Sequence, residues 1–275
     1  MSSANMIKEY LDYLCRDEKS AATREKYLRD VKAFFRYASG RKITKELVVE
    51  WKRTLVERGY AVSSVNSMLA SLNCYLEFID LPACKVKSIR AQRQSFCTED
   101  RELTKKEYLR LLAASRKNEQ LNLVLQTICA TGIRVSELQY FTVEAVYRGT
   151  VTVDCKNKTR TILVPGKLRD MLLCYAKRRG ISGGAIFVTR NGKPLNRSNI
   201  WTAMKKLCAE ADVKPSKVFP HNLRHLFART FYGVERDIAK LADILGHSNV
   251  NTTRIYIIST GVEHRRKIER LGLVV

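Results

Sequence analysis

Apolar residues recur at the three-to-four-residue spacing of an amphipathic helix along most of this chain, and switch to one-in-two alternation at Thr150-Val151-Thr152-Val153-Asp154. A chain patterned this way folds as helices packed on helices, with room for one small β element. Tyr10, Tyr13 and Leu14 share one face of a first segment, and Tyr27, Val31, Phe34 and Phe35 stripe a second that opens at Ser20 to Thr23. Thr44 caps a third segment carrying Leu47, Val48, Trp51 and Leu55, and Gly59 ends it. Ser63 or Ser64 opens a fourth through Val65, Met68, Leu69, Leu72, Leu76 and Phe78. Four short helices with brief loops predict a small bundle over residues 1–83, stopped by Asp80-Leu81-Pro82.

Residues 84–102 lose the periodicity and carry Lys85, Lys87, Arg90 and Arg93, which reads as a basic linker able to contact a polyanion. Thr104-Lys105-Lys106-Glu107 has the capping-box pattern of a new helix. A long apolar helix follows over Leu121–Ala130, then Thr131-Gly132 and a helix beginning near Arg134 to Glu137. Strands at Thr150–Asp154 and Arg160–Val164 flank a polar turn over 155–160, a β-hairpin with basic residues at its tip. Helices return at Leu168–Arg178, at Ser198–Ala211, and from His221 toward the end, so residues 103–275 form a second domain with a tail from about 259. The fold class is mostly α with a small β-hairpin (α+β).

Charge narrows the partner. Fifty Lys and Arg against 27 Asp and Glu give a net charge of +23, spread along the chain instead of gathered in a tail. That excess points to a polyanion held by several surfaces. The first ten residues lack a signal-peptide pattern, and no stretch approaches the ~20 apolar residues that cross a bilayer. Eight scattered cysteines with no C-x-x-C pair argue against a zinc site or disulfide framework and for reduced thiols in a cytoplasmic protein.

The chemistry-bearing residues concentrate near the C-terminus: His221-Asn222-Leu223-Arg224, Gly246-His247 and Tyr256, with Arg134 upstream in Thr131-Gly132-Ile133-Arg134-Val135-Ser136-Glu137-Leu138. Two planar guanidiniums suit a dianionic, trigonal-bipyramidal phosphate. Imidazoles move protons near neutral pH, and a phenol can be a covalent nucleophile. Singly, each has an ordinary alternative. Arg134 can pair with Glu137 three residues on, His221 and Arg224 can be a satisfied pair, and Tyr256 can be core packing. Residues 235–256 also read as a helix-turn-helix. His225, next to Arg224, is rotated by roughly 100° and is not expected on the face of His221 and Arg224.

Taken together, the ordered set resembles the tyrosine recombinases of the phage-integrase family, close in size to the Xer-type members. The family's T-G-x-R-x-x-E-L motif stands at Thr131 to Leu138, its H-x-x-R box at His221 and Arg224, its L-G-H at Leu245 to His247, and its nucleophile at Tyr256, nine residues later. The resemblance implies a core-binding (SAM-like) DNA-binding domain before the linker and a catalytic domain after it, closing as a clamp on duplex DNA. It implies site-specific recombination through a 3′-phosphotyrosine, with Arg134, Arg224 and His247 on the phosphate, His221 as base and Glu137 behind Arg134. The family's lysine lies on the hairpin, where Cys155-Lys156-Asn157-Lys158-Thr159-Arg160 lacks the usual glycines and is one residue short. Lys156 is favoured and Lys158 competes; Lys158 and Arg160 are also candidate DNA contacts. There is neither a carboxylate cluster for Mg²⁺ nor a phosphate-binding glycine loop, so no metal and no cofactor are expected. Expected partners are double-stranded recombination sites, a homotetramer formed on DNA by exchange of C-terminal tails, and an accessory directionality factor, with no membrane. The chain start argues against a separate arm-site-binding module before residue 6. A type IB topoisomerase shares the same tyrosine chemistry, and a non-catalytic DNA-binding protein would use only the helix-turn-helix.

Overall fold

A computed structural model describes residues 3–90, 101–155, 158–257 and 269–271. The chain divides into two compact units, Met1–Arg93 and Gln94–Val275. The first contains α1 (Ser3–Arg16), α2 (Ala21–Ala38), α3 (Lys45–Glu57) and α4 (Val62–Phe78). The Ser20 and Thr44 side chains accept from Thr23 N and Leu47 N, capping α2 and α3 where the sequence places their starts. α4 begins earlier than Ser63, after an uncapped Ala61. Its stripe of Val65, Leu69, Leu72 and Leu76 buries against Leu14, Phe34, Val48 and Trp51, all at most 3 % exposed.

The start of the expected linker is seated on this bundle. Asn73 of α4 donates its amide to Val86 O (2.9 Å) and accepts from Val86 N (3.0 Å). Asn66, two turns earlier, does the same to Ile89 (3.0 and 2.7 Å). Two side-chain amides thus act as a substitute β-partner, satisfying backbone groups that a loose linker would leave to water. Val86 is 6 % exposed, Lys85 pairs with Glu77 at 2.7 Å, and Lys52 donates to Lys87 O. Arg90 is exposed, and Arg93 lies outside the described residues. Asn66→Ala and Asn73→Ala are each expected to destabilise the bundle by about 1–2 kcal/mol, the cost of orphaning a paired backbone unit. Urea unfolding followed through buried Trp51, with Trp201 replaced by Phe, measures it; unchanged midpoints would contradict it.

The second unit carries α5 (Lys105–Ala114), α6 (Glu119–Thr131), α7 (Val143–Arg148), β1 (Thr150–Cys155), β2 (Lys158–Leu163), α8 (Gly166–Arg178), α9 (Arg197–Lys206), α10 (Pro220–Glu235), α11 (Ile238–Leu245) and α12 (Val250–Ile257). The Thr104–Glu107 capping box opens α5, and Pro220 occupies the first turn of α10. β1 and β2 pair antiparallel from Thr150↔Leu163 to Cys155↔Lys158. Val151 and Val153 face the core while Thr152 and Asp154 face out. The ladder runs further than the pattern predicts: Cys155, Lys158 and Thr159, expected in the turn, belong to the strands. α9 is shorter than its apolar spacing suggests, because Leu207, Cys208, Ala211 and Val213 are buried from the irregular segment that follows. No helix among the described residues is long and apolar enough to cross a membrane.

Candidate active site

The site forms where α6, α10, α11 and α12 meet. Gly132 ends α6 at φ 65°, and a Cβ there would lie 2.3 Å from Phe227 Cδ1 of α10. Only glycine serves both demands, a left-handed turn and a close ring. The resulting packing aims the Gly132 carbonyl at Arg224, whose Nη1 donates to it at 2.5 Å. Arg224 Nη2 donates to Leu245 O (2.7 Å), at the C-terminal end of α11, and to His247 Nε2 (2.9 Å). One guanidinium, 1 % exposed, therefore ties α6, α10 and α11 together.

Arg134 leads into a 3-10 turn, Val135–Tyr140, in place of the α-helix its motif suggests. Fully buried Glu137 accepts from Arg134 N (2.7 Å) and Arg134 Nη1 (3.0 Å), and its other contact is Arg160 Nη2 at 2.5 Å. Arg160 is 14 % exposed on its side chain and turned into the site, not outward from a hairpin tip as a DNA contact would be. Arg134 and Arg224 line one cleft of about 660 Å³ with His221, Arg197 and Trp201. The cluster is short of negative charge. Glu137 serves Arg134 and Arg160, while Arg224 has no carboxylate partner among the described residues. Burial, then repulsion from Arg134, pulls the Arg224 pKa down to about 10. A cationic pocket with one carboxylate for three guanidiniums is built to receive an anion.

Tyr256 is 5 % exposed on α12, and its hydroxyl lies 3.3 Å from His221 Nε2. The His247 ring stacks beside it, 5.4 Å between centroids and 27° apart. Arg224 can only donate, so His247 Nε2 accepts and its Nδ1–H donates to Thr253 Oγ1 at 2.9 Å. Thr253 is fully buried and was not singled out by the motifs. The helix-turn-helix expectation finds its two helices in α11 and α12, but Tyr256 turns inward onto α10 while Ile255 is 54 % exposed.

His225 corrects an expectation. Its ring lies 4.3 Å from that of Tyr256 and 4.9 Å from that of His221, nearer the phenol than either other imidazole. Its spacing from His221, one helical turn, is the signal; the comparison with adjacent Arg224 concealed it. Lys156 lies outside the described residues. Lys158 pairs through its backbone with Cys155.

All three imidazoles hold protons less well than the ordinary 6.5. Burial, then Arg224, lowers His221; burial, then His221, brings His225 to about 4; burial, then Arg224, brings His247 to about 4. The unfolded chain thus binds protons that the fold refuses. This contribution to stability is intact above about pH 6.5 and is lost as pH falls toward 4. Melting temperature is expected to be level from pH 8 to 7 and to fall across that acid window; a flat profile down to pH 4 would contradict the assignment.

Residues 101–261 match the phage integrase family, and residues 7–79 match the phage integrase N-terminal SAM-like domain. Tyrosine recombinase XerA of Thermococcus kodakarensis is 30 % identical over 282 residues, covering 98 % of this chain and 96 % of that protein. Tyrosine recombinase XerD of Halalkalibacterium halodurans is 28 % identical, covering 85 % and 86 %. Among solved structures, a lambda integrase dimer bound to a COC′ core site superposes with a TM-score of 0.72 at 18 % identity, covering 94 % of this chain and 95 % of that one. XerH bound to a palindromic difH substrate gives 0.70 at 19 %, covering 96 % and 83 %. The chain belongs to the phage integrase family. It is a tyrosine-type, site-specific DNA recombinase.

Proposed function

We propose that the Tyr256 oxygen attacks a backbone phosphorus of duplex DNA, passing its proton to His221 Nε2, while the bond to the 5′ oxygen breaks. The products are a 3′-phosphotyrosine and a free 5′-hydroxyl, and Lys156 supplies the proton to the departing oxygen. The observation that carries this reading is the 3.3 Å approach of phenol and His221 beside a buried Arg224 that has no carboxylate partner among the described residues, all within one chain. His221 suits the base role because its depressed pKa keeps it neutral at pH 7, ready to accept.

Arg134 and Arg224 bind the non-bridging oxygens, whose charge grows in the transition state; each such donor is worth roughly 10²–10³ in rate. Glu137 holds Arg134 from behind. His247 joins once its Nε2 gives up the bond from Arg224 and takes the proton, and the Thr253 hydroxyl, able to donate as well as accept, then donates to Nδ1. The ester keeps the bond energy, so a 5′-hydroxyl from a partner strand reverses the step with no nucleotide triphosphate.

Residues 1–83, with Lys85, Lys87, Arg90 and Arg93 beyond them, form the core-binding part in this reading, and 103–275 the catalytic part. Lys158 contributes to DNA binding at the hairpin. Strand exchange needs two sites and four such chains. Lambda integrase, which shares the fold, is known as a tetramer bound to a Holliday junction. The segment from about 259 would link neighbouring subunits in a cytoplasmic assembly on DNA, and an accessory factor would set direction. Of this segment only 269–271 are described, with Leu271 62 % exposed.

The test is covalent trapping on nicked suicide duplexes, followed by peptide mapping. The phosphate is expected on the peptide carrying Tyr256. A different modified residue, or binding without any adduct, would sink the mechanism. Two-site recombination beside supercoil relaxation separates the recombinase from a topoisomerase.

A further inference from the structure

Arg224 ties the end of α6 to the end of α11, and a second guanidinium, that of Arg160, ties the Arg134 turn to the same helix end. From β2 its Nη2 reaches Glu137 Oε2 at 2.5 Å, and its Nη1 reaches Ile244 O at 2.6 Å. Glu137 carries Arg134. Ile244 belongs to the last turn of α11, directly before Gly246 and His247. A single planar fork therefore spans from the arginine-bearing turn to the histidine-bearing helix end.

Two further observations show that this placement is built in. Gly246 has φ 66°, and a Cβ on it would lie 2.6 Å from Arg160 Cδ, so the turn before His247 is shaped around the arginine's stem. Neighbouring carbonyls at the end of α11 are divided between two guanidiniums, Ile244 O for Arg160 and Leu245 O for Arg224. That helix end presents partial negative charge, and cations there are favoured. Both ends of the Arg160 fork are engaged inside the protein, on Glu137 and on Ile244.

We propose that Arg160 is a positioning residue for the cleavage reaction: it locks Glu137, and through it Arg134, in register with the Gly246–His247 turn, and does so from the strand that leads out of the hairpin bearing Lys156. The role rests on the mechanism above. A lysine cannot replace it, because one ammonium at the end of a flexible stem does not reach two acceptors with fixed geometry.

Single-turnover cleavage of a nicked suicide duplex tests this, because each protein reacts once. The adduct yield reports the competent fraction, and the rate constant at saturating DNA reports site geometry. Arg160→Gln and Arg160→Lys are both expected to lower the rate constant roughly 10–100-fold, the usual cost of removing a supporting hydrogen-bond partner. DNA affinity and its salt slope should stay unchanged. Because Arg160 and Glu137 act as one unit, Arg160→Gln with Glu137→Gln should be no slower than the worse single variant. Three results would overturn the proposal: weaker DNA binding with a normal saturated rate, which makes Arg160 a phosphate contact; lower yield with a normal rate constant, which makes it a folding residue; or losses that multiply with those of Glu137→Gln. Tyr256→Phe in parallel separates this from the underlying mechanism, since an adduct formed by that variant refutes the nucleophile whatever Arg160 does.

Discussion

Tyr256→Phe is expected to abolish the covalent protein–DNA adduct, a loss of more than about 10⁴-fold, as when a nucleophile is removed from other covalent enzymes. It should leave DNA binding intact. The change removes one oxygen, the one that lies 3.3 Å from His221 Nε2. The ring keeps its packing against His225 and His247, so the melting temperature should move by a degree or two at most. Gel-shift affinity beside suicide-substrate trapping checks both halves. An adduct retained by Tyr256→Phe would remove the nucleophile from the account, and a large loss of stability would recast Tyr256 as core packing.

Arg224→Gln should cost at least about 10³ in cleavage rate, since it removes a buried guanidinium from the proposed phosphate site. Its effect on folding is the more discriminating half. Three acceptors lose a partner: Gly132 O, Leu245 O and His247 Nε2. Against this, a buried cation facing Arg134 and Arg160 disappears. Burial, then repulsion from Arg134, holds its pKa down at about 10, so the charge is kept at a cost at every pH below that value. The two effects oppose each other, so the melting temperature should shift less than is usual for a fully buried residue. Thermal melts at pH 7.5 test this. A severe collapse would mean that Arg224 is held for architecture, while a gain in stability with activity lost would mark it as a charge kept at a cost for the reaction.

Much of this arrangement is legible in the sequence. Helical stripes such as Val65, Leu69, Leu72 and Leu76 announce the bundle, because burial of one face needs that spacing. The alternation of Val151 and Val153 announces the hairpin for the same reason at period two. The ordered motifs brought Arg134, His221, Arg224, His247 and Tyr256 forward as a set, and the fold gathers them in one neighbourhood. What escaped has a common cause: charged and polar side chains whose partners are distant in sequence. Arg160 in a basic hairpin looks like a DNA contact until Glu137 and Ile244 come within reach. Asn66 and Asn73 look like ordinary surface amides, yet they seat the strap at 86–89. Thr253 carries no pattern of its own, and only the tautomer of His247 gives it a task. Apolar spacing also overran α9, because it records burial and not hydrogen bonding.

A mixing experiment bears most directly on the claim that one folded chain holds the whole cleavage centre. Tyr256→Phe keeps the guanidiniums and imidazoles but lacks the phenol; Arg224→Gln keeps the phenol but lacks a clamp. Combined on a suicide duplex, the two are predicted to form no more adduct than either does alone. An adduct appearing on the Arg224→Gln chain would contradict the account, since a phenol would then be reaching into a neighbour's pocket.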